Sequence, residues 1–447
     1  RGLGDVYKRQ PHKNSINNYC YPENPEAGID LFLEKLVQET EKEHEDILEQ
    51  ADETDAMFGE LYSWYLRNPE YRSRVQKLVQ SAFAGKPEDI ISQSVAKALY
   101  GEVSPYSATR LERFAACAFA HFLQYGMKLT ERVEYEFKPM DMGNVMHEAL
   151  ESFAEEVRKR GMKWTELTEQ ERNEIADRCL DNIVADYGNT VLKSSARNEY
   201  MIERTRRILR RTVWALQKQL EQGEFQPEGF EVTFGGGRID RVDIMEDQNK
   251  VYVKVIDYKT GNTSFDLVYL YHGLQLQLMI YLDGALRVEQ KKYPDKEIIP
   301  AGVFYYNIKD PMIQEKIDAD VEAVSAGLMK ELKMNGLVQA DPELVYRMDS
   351  SLGSIPVAFN KDGSFRKNSS VADRTQFAVL GRYVRTKIEK IRSSILEGDA
   401  EVSPYELGKK NACTYCPYMT VCGFDRRLSG YESVSYTHLR AHETRSN

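Results

Sequence analysis

The sequence predicts an α/β protein in which a mixed sheet core is wrapped by helices. Three observations lead to this class. The pattern is helical up to about residue 221, three short strands rich in Val, Ile, Phe and Tyr follow between residues 230 and 258, and a helix and a further strand come next. Strands set between runs of helices are typical of a mixed sheet with helical layers on its faces.

Each element has a local signal. Polar helical segments occupy about residues 28–98, Ser107 stands at the N-cap position of the next helix, and Gly126 stands where that helix should end. Thr168 and Glu171 have the spacing of a capping box. Later helices are predicted at 142–159, 168–187, 197–221, 267–288, 312–335 and 372–397. Strands are predicted at 230–234, 237–244, 251–258 and 301–308.

Composition excludes several classes of protein. The 447 residues contain no apolar run near the ~18 residues of a membrane span, and six cysteines are too few for a disulfide-dense secreted scaffold. With no signal peptide at the start, these features predict a cytoplasmic protein with no membrane partner. The net charge of −10 does not exclude nucleic acid, because residues 31–60 hold eleven acidic and two basic residues and the rest is nearly neutral.

The two ends of the chain resemble translated sequencing-adapter sequence. They are RGLGDVYKRQ at 1–10 and VSYTHLRAHETRSN at 434–447. We expect both ends to be non-native and exclude them from the fold. This exclusion also removes His438 and His442 from the candidate metal ligands.

Two aspartates and a lysine stand on the predicted second and third strands. Asp240 ends the segment Gly-Arg-Ile-Asp, and Asp257 and Lys259 belong to Ile-Asp-Tyr-Lys-Thr-Gly. If these strands form a hairpin, the two carboxylates are neighbours and can share a divalent cation such as Mg²⁺ through hard oxygen ligands. Lys259 faces the same side as Asp257, because residues two apart share one face of a strand. This arrangement suits hydrolysis of a phosphodiester by a metal-bound water.

The paired segments resemble the PD-(D/E)XK nuclease superfamily, in the branch typified by RecB nuclease domains. Gly143-Asn-Val-Met-His147 is similar to the upstream metal-binding histidine motif of that family, and Gln277 and Tyr281 are similar to its Q-x-x-x-Y motif. Taken singly, His147 could be a structural histidine, and Gln277 and Tyr281 could be polar groups on a buried helix. Together, in this order, they favour the nuclease fold.

The resemblance implies a role for each of these residues. Lys259 would assist the attacking water, and Gln277 and Tyr281 would position the site or the DNA strand. The Mg²⁺ ligands would be His147, Asp240, Asp257 and the backbone carbonyl of Tyr258. Asp243 is expected to face the other side of the sheet as a solvated or salt-bridged neighbour.

Three cysteines lie close together near the end of the chain. Cys413, Cys416 and Cys422 form C-x2-C-x5-C, which in a chain without a secretory signal indicates metal or cluster ligands. Cys117 is the candidate fourth ligand, although its pattern also fits a buried helix cysteine. Four thiolates suit both Zn²⁺ and a [4Fe–4S] cluster, so the spacing leaves both open. The remaining cysteines, Cys20 and Cys179, have no such context.

The segments around these cysteines resemble the AddB subunit of bacterial AddAB helicase–nucleases. They are LYGEVSPYSATRLERFAAC at 99–117 and CPYMTVCGFDRRLSGY at 416–431. The usual Cys-Pro-Phe of that family is Cys117-Ala-Phe119 in this sequence. The resemblance implies a [4Fe–4S] cluster on Cys117, Cys413, Cys416 and Cys422, acting as an iron–sulfur staple between the ends of the nuclease domain.

The same resemblance implies an organisation and a function. Residues 11–98 would be the helical remnant of a preceding helicase-like region, and residues 99–433 the nuclease domain with its cluster. The chain would be a DNA exonuclease, 5′ to 3′ on single-stranded ends, acting in double-strand break repair and recombination. An AddA-type partner subunit would supply most of the motor activity, since no G-x-x-x-x-G-K-[ST] loop is present.

Two other functions stay open. One is a catalytically silent scaffold that only holds DNA, and the other is a free-standing iron–sulfur nuclease of the CRISPR-adaptation type. Basic residues on the predicted helix 197–221 also allow two interpretations. Arg204, Arg207, Arg211 and Lys218 share one face, which is either a track for DNA phosphates or a solvated amphipathic surface.

Overall fold

The fold is that of a computed structural model, which describes residues 53–82, 90–101, 107–130, 139–186, 195–235, 237–313, 321–424 and 433–435. The predictions for residues 1–52, including Cys20, and for residues after 435 lie outside this part of the chain. No helix in the described ranges is both long and apolar enough to cross a membrane.

Helices precede, interrupt and follow the strands. They are α1 Glu53–Arg67, α2 Pro69–Ala82, α3 Gln93–Tyr100, α4 Ala108–Ala116, α5 Ala118–His121, α6 Pro139–Lys159, α7 Glu169–Asp186, α8 Ala196–Glu221, α9 Leu267–His272, α10 Gln277–Lys292, α11 Val321–Glu331, α12 Pro342–Met348, α13 Arg374–Glu397 and α14 Met419–Cys422. Two predicted start signals are confirmed. The Ser107 hydroxyl accepts a hydrogen bond from the Arg110 N–H, and Thr168 and Glu171 exchange the two bonds of a capping box.

Within the described ranges, six strands form one mixed sheet. They are β1 Gln226–Phe234, β2 Gly237–Asp247, β3 Lys250–Lys259, β4 Glu297–Asn307, β5 Asn335–Gln339 and β6 Val371–Ala372, in the spatial order of their numbers. The first three are antiparallel, β3 and β4 are parallel, β4 and β5 are antiparallel, and β5 and β6 are parallel. The connection from β3 to β4 runs through α9 and α10, as a parallel pair requires a crossover. The predicted mixed α/β core is confirmed.

Both faces of the sheet are covered by helices. On one face, α6, α7 and α8 pack on the strands through residues such as Phe153 and Leu209. On the other face, α4, α10 and α13 contribute residues such as Leu111. Successive residues of β3 enter the two cores in turn, Val255 on one side and Ile256 on the other, so this strand is buried throughout. Asp257 therefore lies near the end of a strand that packs against both helical layers.

Two predicted helices are interrupted, and both interruptions matter for the site. The helix expected from Ser107 to Gly126 stops at Cys117, whose backbone is extended with φ of −170°. The helix expected over 267–288 breaks at Gly273, which caps α9 in the left-handed region with φ of +82°. A new helix then begins at Gln277. Hydrophobic periodicity does not reveal either break, because apolar residues continue at helical spacing after each one.

The region after β4 departs most from the prediction. Met312 and Ile313 are not helical, α11 covers Val321–Glu331 within the described residues, and Asn335 begins strand β5 instead of ending a helix. The sequence also did not predict strand β6, helix α12 or a small second sheet. That sheet consists of β7 Tyr405–Leu407, β8 Lys410–Asn411 and β9 Val434–Ser435. These strands are two to five residues long, too short to show a period. β9 includes the first two residues of the end expected to be non-native.

Candidate active site

Asp240 and Asp257 lie side by side where the pairing of β2 and β3 ends. The last ladder pair of these antiparallel strands joins Arg241 to Ile256, one residue short of each aspartate. Beyond that pair, the Asp240 carboxylate accepts a hydrogen bond from the backbone N–H of Tyr258 at 2.7 Å. The carboxylate thus takes the place of a ladder acceptor. Both aspartates are buried, with 8% and 1% of their surface exposed.

Lys259 is two residues after Asp257 on β3 and faces the same side of the strand. Two contacts orient its side chain. Its Nζ lies 2.7 Å from Asp257 Oδ2 and donates to Gln277 Oε1 at 2.8 Å. Gln277 in turn donates through Nε2 to the Tyr281 hydroxyl at 2.9 Å. The predicted Gln–Tyr pair thus faces the catalytic end of the sheet. The break at Gly273 allows this, because Gln277 becomes the first residue of α10 rather than part of a longer helix.

His147 reaches the same place from α6 on the other side of the cleft. Its Nδ1 lies 3.4 Å from Asp240 Oδ2 and 3.9 Å from Glu231 Oε1. Among the described residues, His147, Glu231 and Asp240 form a group whose possible ligand atoms all lie within 4.8 Å of one another. An open cleft is lined by these residues together with Asp257, Lys259 and Tyr281.

Glu231 is a member of the site that the sequence did not reveal. It lies on β1 with φ of +49°, in the left-handed region that residues other than glycine rarely adopt. Its side chain also pairs with Arg238. It belongs to no motif, and only the strand pairing of β1 with β2 brings it to Asp240, so no local signal could have identified it.

Burial and crowding perturb the titratable groups of the site. Burial raises the pKa of Asp257 to about 7, and the negative charge of Asp240 adds to the effect while Lys259 opposes it. Burial disfavours the charged imidazolium of His147, yet hydrogen bonds to Asp240 and Glu231 raise its pKa to about 10. Without a metal ion, a proton on His147 therefore balances part of the carboxylate charge. Carboxylate oxygens that favour a proton on a neighbouring histidine also favour other positive charges. Such oxygens are the ligands that a hard divalent cation prefers.

Asp243 lies on the opposite side of the strand, as predicted. It is fully buried and is paired with Arg241 at 2.6 Å and Lys254 at 2.9 Å. Burial, the largest effect, raises the pKa of Asp243, but the two cations more than offset it and hold that pKa below its usual value. The salt-bridged alternative is therefore correct, and the solvated one is wrong.

Cys117 and Cys416 lie in one small apolar cluster although they are far apart in the sequence. Burial raises the pKa of the Cys117 thiol, and the nearby backbone N–H groups of Ala120, Ser403 and Phe119 lower it only in part. The Phe119 N–H, just past the helix break, donates its hydrogen bond to the Glu401 carbonyl at 2.9 Å. Backbone N–H groups near a sulfur help to stabilise a thiolate ligand.

The other cysteines have similar surroundings. Cys413 and Cys416 share a turn in which the Cys416 N–H donates to the Cys413 carbonyl at 3.1 Å. The Arg113 guanidinium of α4 lies 3.8 Å from Cys416 Sγ, and Cys422 Sγ accepts from the Phe424 N–H at 3.5 Å. The positive charge and N–H donors around these sulfurs fit a group held by thiolates.

The basic face of α8 is largely engaged within the chain. On the predicted face, Arg207 pairs with Asp310, Lys218 pairs with Glu221, and Arg211 lies over the ring of Trp214. Arg206 and Arg210, beside that face, pair with acidic residues of α7. The choice between a phosphate track and a solvated amphipathic surface stays a prediction.

A buried carboxylate pair, a lysine held against one of its members, and a histidine across the cleft define a metal-dependent nuclease. Comparison with known families agrees, because residues 105–423 match the PD-(D/E)XK nuclease superfamily. The chain belongs to this family. The fold class and family expected from the motifs are confirmed.

Curated relatives show which proteins of this family the chain is similar to. The B subunit of the ATP-dependent helicase/deoxyribonuclease of Lachnoclostridium phytofermentans is 41% identical over 412 residues, which are 87% of this chain and 35% of that protein. The protein of the same name from Alkaliphilus metalliredigens is 34% identical over 414 residues, 87% of this chain and 36% of its own length. The chain spans about a third of the curated relatives it matches. The resemblance to a helicase–nuclease component of this type is confirmed.

Proposed function

We propose that this chain is a Mg²⁺-dependent DNA exonuclease that degrades single-stranded ends from 5′ to 3′ in double-strand break repair and recombination. The observation that carries the proposal is the contact chain from Asp257 to Lys259 to Gln277, beside Asp240 and His147. The relatives' name, helicase/deoxyribonuclease, supports DNA as the substrate. The polarity and the Mg²⁺ follow the resemblance to AddB subunits.

The roles of the residues follow from their contacts. Asp240, Asp257 and His147, with the Tyr258 carbonyl, would hold Mg²⁺, and Glu231 lies close enough to Asp240 to join them. When bound, the ion would lower the pKa of a water and neutralise charge on the scissile phosphate.

The remaining residues act on the water and the phosphate. Lys259 lines the cleft, where contacts with Asp257 and Gln277 orient its Nζ, and there it can orient the attacking water and offset the charge of the phosphate. Tyr281 fixes the amide of Gln277 so that its oxygen, not its nitrogen, faces the lysine.

We further propose that Cys117, Cys413, Cys416 and Cys422 hold a [4Fe–4S] cluster. The backbone N–H groups near the Cys117 sulfur and the guanidinium beside Cys416 support this proposal. A group bound there would join α4 to the end of the domain, since Cys117 immediately follows that helix. The partner that we propose is an AddA-type helicase–nuclease subunit, in keeping with the word subunit in the relatives' names.

A digestion assay tests the proposed reaction. The full chain is incubated with Mg²⁺ and single-stranded DNA that carries a label at either the 5′ or the 3′ end, with one end blocked in parallel substrates. We expect short 5′-derived products, and we expect Asp257→Asn to reduce the rate by about 100-fold or more. Asp295→Asn, at an exposed turn residue, is the matched control and should be fully active.

Three results would contradict parts of this proposal. Equal rates for wild type and Asp257→Asn would place the reaction elsewhere. DNA binding without digestion under any divalent metal ion would indicate the silent scaffold. Products released from the 3′ end would reverse the proposed polarity.

A further inference from the structure

Glu112 of α4 contacts the start of α10, and both helices pack on the same face of the sheet. Its Oε1 accepts hydrogen bonds from two consecutive backbone N–H groups, of Leu276 at 2.7 Å and of Gln277 at 2.9 Å. These bonds join residues more than 160 positions apart in the sequence. The carboxylate is partly buried between the two helices.

Helix α10 has no cap of its own. Leu276 occupies its N-cap position and offers no side-chain acceptor, so the first N–H groups have no partner from the local sequence. Glu112 supplies the missing acceptor from another element. It thereby fixes the position of the first residue of the helix, and that residue is Gln277.

The position of Gln277 in turn determines that of Lys259. Lys259 Nζ has two oxygen partners, Asp257 Oδ2 at 2.7 Å and Gln277 Oε1 at 2.8 Å, so the Gln277 amide helps to fix where this nitrogen lies in the cleft. A shift of the first turn of α10 would move the Gln277 amide away from Lys259 and leave the ammonium on Asp257 alone.

We propose that Glu112 is a positioning residue for the nuclease centre, which acts through the backbone of Gln277 on the location of Lys259. The inference rests on the proposed function for its kinetic consequence only, because the hydrogen bonds can be tested without DNA. It concerns a residue outside the reaction cleft, in the helix that ends at Cys117.

The chemistry of the contact predicts which substitutions are tolerated. Both bonds fall on one oxygen, so a glutamine can replace the glutamate as acceptor, whereas alanine cannot. Burial, the largest effect, raises the pKa of Glu112 to about 7 despite these two bonds. A neutral side chain at this position is therefore already part of the native ensemble near neutral pH.

The first test is hydrogen exchange followed by mass spectrometry on the full chain, with peptides that cover residues 274–281. We expect the amides of Leu276 and Gln277 to exchange about 10-fold or more faster in Glu112→Ala, and at the wild-type rate in Glu112→Gln. Glu199→Ala, at an exposed glutamate of α8, is the control and should leave this peptide unchanged.

The second test is steady-state digestion of single-stranded DNA with Mg²⁺. We expect Glu112→Ala to lower kcat by about 10- to 100-fold with KM for DNA nearly unchanged, because a displaced catalytic group costs rate rather than binding. Glu112→Gln should retain most of the wild-type kcat. A residue that only stabilised the fold would lower the melting temperature and leave kcat per folded molecule unchanged.

The outcomes separate this inference from the proposed function. Wild-type exchange at residues 276–277 in Glu112→Ala would overturn the inference, whether or not the chain cleaves DNA. So would an unchanged kcat in Glu112→Ala where wild type is active. A wild type that cleaves no DNA would refute the nuclease proposal, and the exchange rates alone would then decide whether Glu112 positions Gln277.

Discussion

Replacing Asp257 by asparagine should stabilise the metal-free protein above neutral pH and have little effect on its stability in acid. Asparagine has nearly the same shape as aspartate but cannot ionise. The side chain is 1% exposed, so its ionised form is poorly solvated. The prediction concerns the free energy of unfolding, measured in chelator so that no metal ion offsets the charge.

The magnitude follows from the shift in pKa. Burial, aided by Asp240, raises the pKa of Asp257 from 3.8 to about 7. A difference of roughly three units corresponds to about 4 kcal/mol, at about 1.4 kcal/mol for each unit. For a cooperative unit the size of residues 105–423, this is about 6 °C in melting temperature.

The sign is fixed by proton linkage. Between about pH 4 and pH 7 the unfolded chain has lost the Asp257 proton while the folded chain keeps it. The stability of wild type therefore falls as pH rises through this window, and the loss is complete above about pH 7. His147 and Glu112 titrate in both proteins, and the Asp257 charge raises the pKa of each, so the difference between wild type and variant contains Asp257 and its coupling to these two groups.

Chemical denaturation of wild type, Asp257→Asn and the control Asp295→Asn at several pH values measures this effect. We expect Asp257→Asn to match wild type near pH 4 and to exceed it by about 4 kcal/mol near pH 8. Parallel curves for wild type and Asp257→Asn across the whole range would refute the reasoning. They would mean that Asp257 is not desolvated in the folded protein.

Two further predictions follow from the same structure. His147 has a pKa of about 10 in the absence of metal, and a ligating imidazole must be neutral, so Mg²⁺ binding should tighten by up to about 10-fold per pH unit above pH 7.5. Calorimetric titrations should show that slope in wild type and lose it in His147→Gln, whereas an equal slope in both would exclude His147 as a ligand. Cys117→Ser should lose bound iron and visible absorbance, and it should destabilise the domain by up to about 5 kcal/mol, since a link from residue 117 to residue 413 closes a loop of roughly 300 residues. Cys179→Ser is the buried control, and wild-type protein prepared without oxygen that is colourless and contains zinc would contradict the cluster.

The strands that carry the site were predictable because they are long and strongly patterned. Because β2 and β3 are buried along nearly their whole length, they appear in the sequence as runs of β-branched and aromatic residues, and Asp240 and Asp257 interrupt those runs. The helix breaks at Cys117 and Gly273 were not predictable from periodicity, since apolar residues continue at helical spacing on both sides. At Cys117 the break coincides with a contact to a distant residue, because the Phe119 N–H donates to the Glu401 carbonyl at 2.9 Å.

The sequence by itself determined which residues are candidates for the chemistry of this protein: the two aspartates, the lysine two residues after the second of them, the upstream histidine, the Gln–Tyr pair and the spaced cysteines all stand in local patterns. Only the tertiary structure decided which further groups act on them. Glu231 reaches Asp240 through strand pairing, and Glu112 reaches Gln277 across two packed helices. Neither contact has a sequence signal, because the free energy that creates it comes from burying both faces of the sheet rather than from the residues next to it in the chain.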